Sequence, residues 1–457
     1  MKKWFSYGWI TAALIFSAQV VFAQVYIDVG KAKVKKSTLA IPPLVYFGSD
    51  SSNLNNIRIG QTLYRVIKDD MDVSNFFVLQ SPNAFLDKSN GLRPAPGDPG
   101  GFQFSNWSSI GTEFLIKGGY KVIGRKVTLE VYAYAVGQVK LVLGKQYEGT
   151  TDTVRQMAHK FSDDLILALT GKRGMFNTKF VVTANRDGKF KEIYIMDWDG
   201  EDVKRVTKFK GLSISPAWSP DAKKVAFTNW AYHKKAKTRN ADLFLYELSS
   251  GKIWLISHKK GINSGAAFHP NNKDLYFTIS KTGTPDIYRM NMSSETTYAI
   301  TKGPGKAMNV EPDISPDGKL MAFSSDRSGS PMVYVSTIYG ANIRRLTFGG
   351  RYNASPSWSP DGKKLAFAGF AKDHFDIFII DVESKQMKRL TQVRKKNGKW
   401  ADNESPTFSP DGRFIAFTSN RSGTNQIYIV SVDGLNERRI TNDSYHYEKP
   451  KWSPYFD

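Results

Sequence analysis

From Lys179 to the end of the chain, apolar and polar residues alternate in short runs, and Gly, Pro, Asn and Asp fall between the runs. Alternation with a period of two marks a strand. The runs also recur in a fixed order. From Ser355, "SPSWSP" reads as a short strand and "DG" as a tight turn, with "KKLAFAG", "DIFIIDV" and "QMKRLT" as three further strands. The anchor residue of this unit returns at 218, 268, 314, 358, 408 and 452, at intervals of 50, 46, 44, 50 and 44 residues. Four strands in a repeat of that length predict one blade of a β-propeller.

The two ends of the array are incomplete in complementary ways. "KFVVTAN", "EIYIMDW" and "VKRVT" (179–207) supply a second, third and fourth strand without a first. "KPKWSP", close to the C-terminus, supplies a first strand with none to follow. An open ring of sheets leaves unpaired strand edges. The pattern therefore predicts an all-β six-bladed propeller over 176–457, closed by one C-terminal inner strand plus three N-terminal strands.

Residues 24–175 mix two periods and predict an α/β domain. "NIRIGQTLYRVIKDDM" (56–71) places Ile59, Leu63, Val66, Ile67 and Met71 on one helical face, and 153–169 does the same with Val154, Met157, Phe161, Leu165 and Leu169. "TLAIPPLVYF" (38–47) and residues 114–136 read as strands. "DKSNGLRPAPGDPGGF" (87–102) is too rich in Pro and Gly for an element and predicts a mobile loop. At the N-terminus, "MKK", an apolar stretch and "VFA" predict a signal peptide over 1–23 and a mature start at Gln24. No later run reaches the ~18 apolar residues of a membrane span, so an exported chain, soluble after cleavage, is expected.

Composition narrows the chemistry. There is no cysteine, which excludes disulfides, thiolate metal sites and a lipoprotein anchor. The formal charge of +22 is spread along the chain. Such a spread permits an acidic partner or an anionic surface. No nucleic-acid module accompanies it, so nucleic acid is not an expected partner. G-x-S-x-G, H-E-x-x-H and P-loop motifs are absent, and His159, His233, His258, His269, His374 and His446 are scattered. "DWDGED" (197–202) resembles a piece of a calcium loop but falls where each blade has a hairpin turn. No catalytic residue, metal or cofactor is expected.

In propellers of this repeat type the first strand lines the central channel. Residues just before it then lie at one mouth. Glu311, Glu404 and Glu448 fall there, with Ser213, Asn263 and Asn353 in comparable places on the other blades. Arg186, Lys281, Arg327 and Arg421 recur in the loops between second and third strands and are expected around the rim. Like charges near a channel mouth repel unless a partner or cation is present. Three function classes remain open at this point: a binding adaptor, a propeller hydrolase or lyase with its active site in the channel, and a polysaccharide binder using Tyr352, Tyr445 or Tyr447.

A start "QVYIDVGKAK", the strand "IPPLVYFG", the junction "LTGKRGMFNTKFVV", the WSPDG-type repeats and the ending "KWSPYFD" together resemble the TolB family. That family is the periplasmic component of the Tol–Pal system of Gram-negative bacteria. The resemblance covers nearly the whole mature sequence. It implies a monomeric, non-enzymatic adaptor that maintains the outer membrane, notably at cell division. It implies that the mouth binds the lipoprotein Pal through Glu311, Val310, Asn263 and Gly265, with Glu404, Glu448, Arg327 and Arg421 beside them. It also implies that a mobile segment, Gln24 to about Val34, engages TolA through Tyr26, Ile27 and Val29, whose alternation fits strand addition. Other outer-membrane proteins are further expected partners. Three departures stand out: the high charge, the insertion-like loop at 87–102, and "GAAF" with "HPNN" in the blade of Asn263. A basic rim would suit an acidic partner surface.

Overall fold

Strands form where the alternation falls. The computed structural model describes residues 36–456, apart from Pro96, Pro99 and 234–237; the expected leader and Gln24, Tyr26, Ile27 and Val29 lie outside the described residues. Six four-stranded antiparallel sheets stand in a ring. Blade 1 spans 213–257, blade 2 spans 263–299, blade 3 spans 309–345, blade 4 spans 353–389 and blade 5 spans 403–439. Blade 6 joins Tyr447–Trp452 to Lys179–Ala184, Glu192–Asp197 and Lys204–Arg205. In this sheet Tyr447 faces Ala184 and Trp452 faces Phe180. The Trp452 ring lies 4.6 Å from that of Phe180, and its Nε1–H donates to the Thr178 hydroxyl at 2.8 Å.

The second strand of each blade is buried on both faces because blades pack on either side. In blade 4, Leu365 and Phe367 pack with Ala322, Val333 and Leu346 of blade 3. Ala366, between them, packs with Phe408, Ile415 and Phe417 of blade 5. Large and small residues thus alternate along a strand so that neighbouring sheets can interlock.

Residues 36–170 build a mixed sheet in the order Phe77–Leu79, Ser37–Ala40, Phe114–Ile123, Lys126–Ala135, Lys140–Thr150. Helices α1 (Leu54–Val73), α2 (Phe104–Ser108) and α3 (Val154–Thr170) accompany it. The Asn53 side chain caps α1 by accepting the N–H groups of Asn55 and Asn56, and α3 ends at Gly171 with φ 70°. One core runs from Leu63 of α1 and Phe161 of α3 to Phe180, Trp198 and Phe414 of the propeller. No helix among the described residues is long and apolar enough to cross a membrane.

In the segment 87–102, expected to be mobile, Ser89, Leu92 and Phe102 are tied down. The Lys117 ammonium donates to the Ser89 carbonyl at 2.7 Å and the Ser89 hydroxyl at 3.0 Å. The Tyr134 hydroxyl donates to the Leu92 carbonyl at 2.9 Å, and Phe102 is fully buried. Composition alone reads as a loop; buried side chains decide whether a loop moves. Burial pulls the Lys117 pKa below its ordinary value. Lys117→Met removes the ammonium and strands the Ser89 carbonyl. The expected cost is about 1–3 kcal/mol, with faster proteolytic cleavage within 87–102 than in wild type.

A charged cluster sits where α1 and α3 meet blade 6. Asp70 and His159 are buried, with His159 Nδ1 2.9 Å from Asp70 Oδ2. Arg155 of α3 reaches both Asp197 and Asp199, and Lys179 also pairs with Asp197. The carboxylates of "DWDGED" that come nearest a metal-ligand arrangement, Asp197 and Asp199 with His159, therefore take their countercharge from the protein's own cations.

Candidate functional site at the propeller mouth

Every inner strand is interrupted in its middle. Its pairing register slips between the second and fifth residues in all six blades. The third residue takes a positive φ: Ser215, Gly265, Glu311, Ser355, Ser405 and Lys449, between 51° and 64°. A bulge lifts one residue out of the ladder. The fourth residue is proline in five blades, which has no N–H to leave unpaired. Only Gly265 adopts this φ freely; each of the other five stores on the order of 1 kcal/mol. These third and fourth residues ring the axis and line a cavity there.

The structure sorts the acidic residues by register. Glu311 is the third residue of its inner strand, whereas Glu404 and Glu448 are second residues. Ser213, Asn263 and Asn353 are first residues. The six positions grouped from sequence are thus not equivalent, and each step along a strand turns the side chain to the other face. Glu311 faces the axis. Its Oε2 accepts the Ser355 N–H at 2.9 Å and the Ser355 and Ser324 hydroxyls at 3.1 and 3.3 Å. Gly265 is its neighbour: a Cβ there would lie 3.8 Å from the Glu311 Cα. Glu404 is open to water at the mouth but crowded. Burial, then Asp402, Glu448 and Glu311, raise its pKa above the ordinary value, and Lys449 offsets part of this. Glu448 is paired with Lys191 at 2.6 Å. Val310 is half-buried.

Other expected contacts face inward. Asn263 is fully buried. Its Oδ1 accepts the Ser257 hydroxyl at 2.7 Å, and its Nδ2 donates to the Lys259 and Ala241 carbonyls at 2.7 and 3.0 Å. Arg327 donates to Asn309 Oδ1 at 2.6 Å and lies over Phe323 and Tyr334. Arg421 donates to Asn403 Oδ1 at 2.7 Å, pairs with Glu437 and lies over Tyr428. Burial lowers both guanidinium pKa values, that of Arg421 to about 10. These two arginines brace the start of an inner strand instead of presenting a rim charge. Arg186 is likewise engaged by Asp443 at 3.1 Å, and Lys281 lies over the Tyr288 ring. Arg327 and Arg421, and Arg186 in part, are thus engaged within the fold instead of standing free at the rim.

A further set of residues, of which only Tyr352 was singled out from sequence, borders the mouth. The residue just before each inner strand is Leu212, Ile262, Met308 and Tyr352 on blades 1 to 4, exposed by 37 to 41%. Asp402 and His446 complete the circle. Four consecutive blades thus present an apolar arc around Glu311. Blade 1 extends it: its second and third strands, Lys224–His233 and Thr238–Glu247, are longer than the six-residue norm and expose Trp230 and Tyr232. Exposed apolar groups that cluster in this way mark interaction surfaces. The sequence signal was an apolar residue directly preceding each buried Ser or Asn.

Residues 167–392 and 352–457 match the TolB beta propeller domain, and residues 25–140 match the TolB amino-terminal domain. The chain belongs to the TolB family. A TolB homolog of Chlorobium chlorochromatii is 34% identical over 57% of the chain and 56% of its own length. The Tol-Pal system protein TolB of Desulfosudis oleivorans is 31% identical over 65% of each. The chain thus spans between half and two thirds of the length of these curated relatives. The crystal structure of TolB from Acinetobacter baumannii covers 94% of the chain and all of its own, with a TM-score of 0.76 and 27% identity. The TolB propeller match takes in all six blades, and the amino-terminal match takes in α1 and most of the sheet.

Proposed function

We propose that this chain is a periplasmic, non-enzymatic adaptor of the Tol–Pal system, maintaining the outer membrane during constriction. It binds Pal at the propeller mouth and TolA through residues 24–34. Relatives bearing the Tol-Pal name support the system. One observation carries the mouth: an apolar arc on blades 1–4 flanks Glu311, and Glu404 stands on the next blade, both on strands with a proline at the bulge. Glu311 is held by the Ser355 N–H and hydroxyl, not by a cation. The partner surface that fits is apolar with a central Lys or Arg. The relatives that carry the TolB name favour an adaptor over a hydrolase or lyase working in the channel.

The test is a titration against the soluble domain of Pal from the same organism. Glu311→Ala should weaken binding by more than about 1 kcal/mol, roughly fivefold or more. Binding should also weaken on acidification. A cation docked beside Glu404 favours its carboxylate, so affinity falls as pH drops through its raised pKa. Saturable binding that ignores both changes would move the interface off the mouth. No binding at tens of micromolar would remove Pal as the partner.

A further inference from the structure

Below the arc, the inner strands of blades 3 and 6 face each other across the axis, since the six inner strands contact one another in ring order. Blade 3 places Glu311 and Asp313 at the third and fifth positions; blade 6 places Lys449 and Lys451 at the same two. Elsewhere these positions hold only Ser, Gly, Ala and Thr. One wall of the channel is therefore acidic, the opposite wall is basic, and the walls between are small and neutral.

These charges form no close ion pair with each other. Asp313 Oδ2 accepts the Trp358 N–H at 2.7 Å, and Glu311 is held by serine donors. Lys449 Nζ donates to the Ser215 hydroxyl at 3.3 Å. Among the described residues no ion pair joins the two walls. Burial pushes the Asp313 pKa up, and Lys451 only partly opposes it. The axial cavity is lined by Glu311, Lys449, Lys451 and the prolines, with Asp313 two residues beyond Glu311 on the same strand and outside the lining, so the walls cannot easily collapse together. Charges held apart with partial solvation favour a ligand that satisfies both. A lone cation or anion would answer one wall only.

We propose that the axial cavity binds a small zwitterion, a free amino acid or short peptide, with its ammonium toward Glu311 and Asp313 and its carboxylate toward Lys449 and Lys451. This does not rest on the Pal reading, because Asp313 and Lys451 lie below the mouth.

The probe is diglycine, followed by amide resonances of the full chain. The N–H groups of Ser355 and Trp358 are the reporters, because they bond to Glu311 and Asp313. Diglycine should shift both in a saturable manner. N-acetyl-diglycine and diglycinamide, each lacking one charge, should bind at least about tenfold more weakly. Lys451→Met should abolish the response while amides of the N-terminal sheet stay in place, which shows that the variant is folded. Equal responses to all three compounds would overturn the proposal. So would the absence of a Ser355 or Trp358 shift up to ~50 mM, a concentration at which even a millimolar ligand saturates. Loss of diglycine binding with Pal binding intact would separate the two sites.

Discussion

Trp452→Ala should destabilise the propeller by about 3–5 kcal/mol, the usual range for removing a large buried aromatic. The side chain is buried, packs against Phe180 in a tilted arrangement and donates to Thr178, so the truncation leaves both a cavity and an unpaired hydroxyl acceptor. Position matters as well as volume. Trp358 occupies the same place in blade 4, where its indole N–H donates to the Asp313 carbonyl. Its strand is joined to the next by a short turn, whereas Trp452 sits on a strand whose partner lies far away in sequence. Urea unfolding of the two alanine variants compares them directly. A larger loss at 452, with reduced cooperativity, is expected. Equal losses would show that the seam is no weaker than any ordinary blade.

The second large effect is expected at the junction. Asp70→Ala removes the carboxylate from a histidine that is only 2% exposed, and breaking a buried pair costs about 3–5 kcal/mol. Its pH dependence identifies the mechanism. Burial alone would depress His159, but Asp70 together with Asp199 and Asp197 outweighs this and its pKa is raised, while burial also raises that of Asp70. A raised histidine contributes stability that is fully present below its ordinary value of 6.5 and is lost as pH rises through the folded pKa. The penalty for Asp70→Ala should therefore be larger at about pH 6 than at about pH 9, as read by denaturant unfolding. A penalty independent of pH would mean that His159 is neutral throughout and that Asp70 acts by packing alone.

How far these features could be read beforehand differs from place to place. The six sheets were legible because the anchor residue and its turn return at regular intervals, and because alternation reports burial directly. The helical faces were legible for the same reason: Leu63, Val66, Ile67 and Met71 are buried in α1, and Val154, Met157, Phe161, Leu165 and Leu169 in α3. The mouth was legible only in outline. Glu311 was placed just before an inner strand, whereas it sits inside the strand, at the bulge that shifts register by one residue. Grouping Glu311 with Glu404 therefore mixed second and third positions. No local pattern announces such a slip except the proline after it.

The arginines failed for another reason. "SDRSG" and "SNRSG" look like solvated turns, and nothing in them reveals that the guanidinium reaches the Asn at the start of the same blade's inner strand. Burial of a long side chain is set by tertiary neighbours, here Phe323 with Tyr334 and Phe417 with Tyr428. The same limit hid Lys117, a buried lysine in a mostly apolar strand that proved to be the anchor of a Pro- and Gly-rich loop.

The pairing of Trp452 with Thr178 spans 274 residues. Contacts at that separation form late, because a long stretch of chain must be gathered before they return any stabilisation. Blades 1 to 5 can each assemble from neighbouring hairpins, whereas the sixth waits for both of its distant parts. Refolding should thus pass through an incomplete arc whose two edge strands are exposed, and at high concentration those edges can pair with another molecule. Once the seam is shut the situation reverses. Opening requires the sheet hydrogen bonds of Tyr447–Trp452 to break together, so the closed ring should unfold slowly, its lifetime set by a single strand.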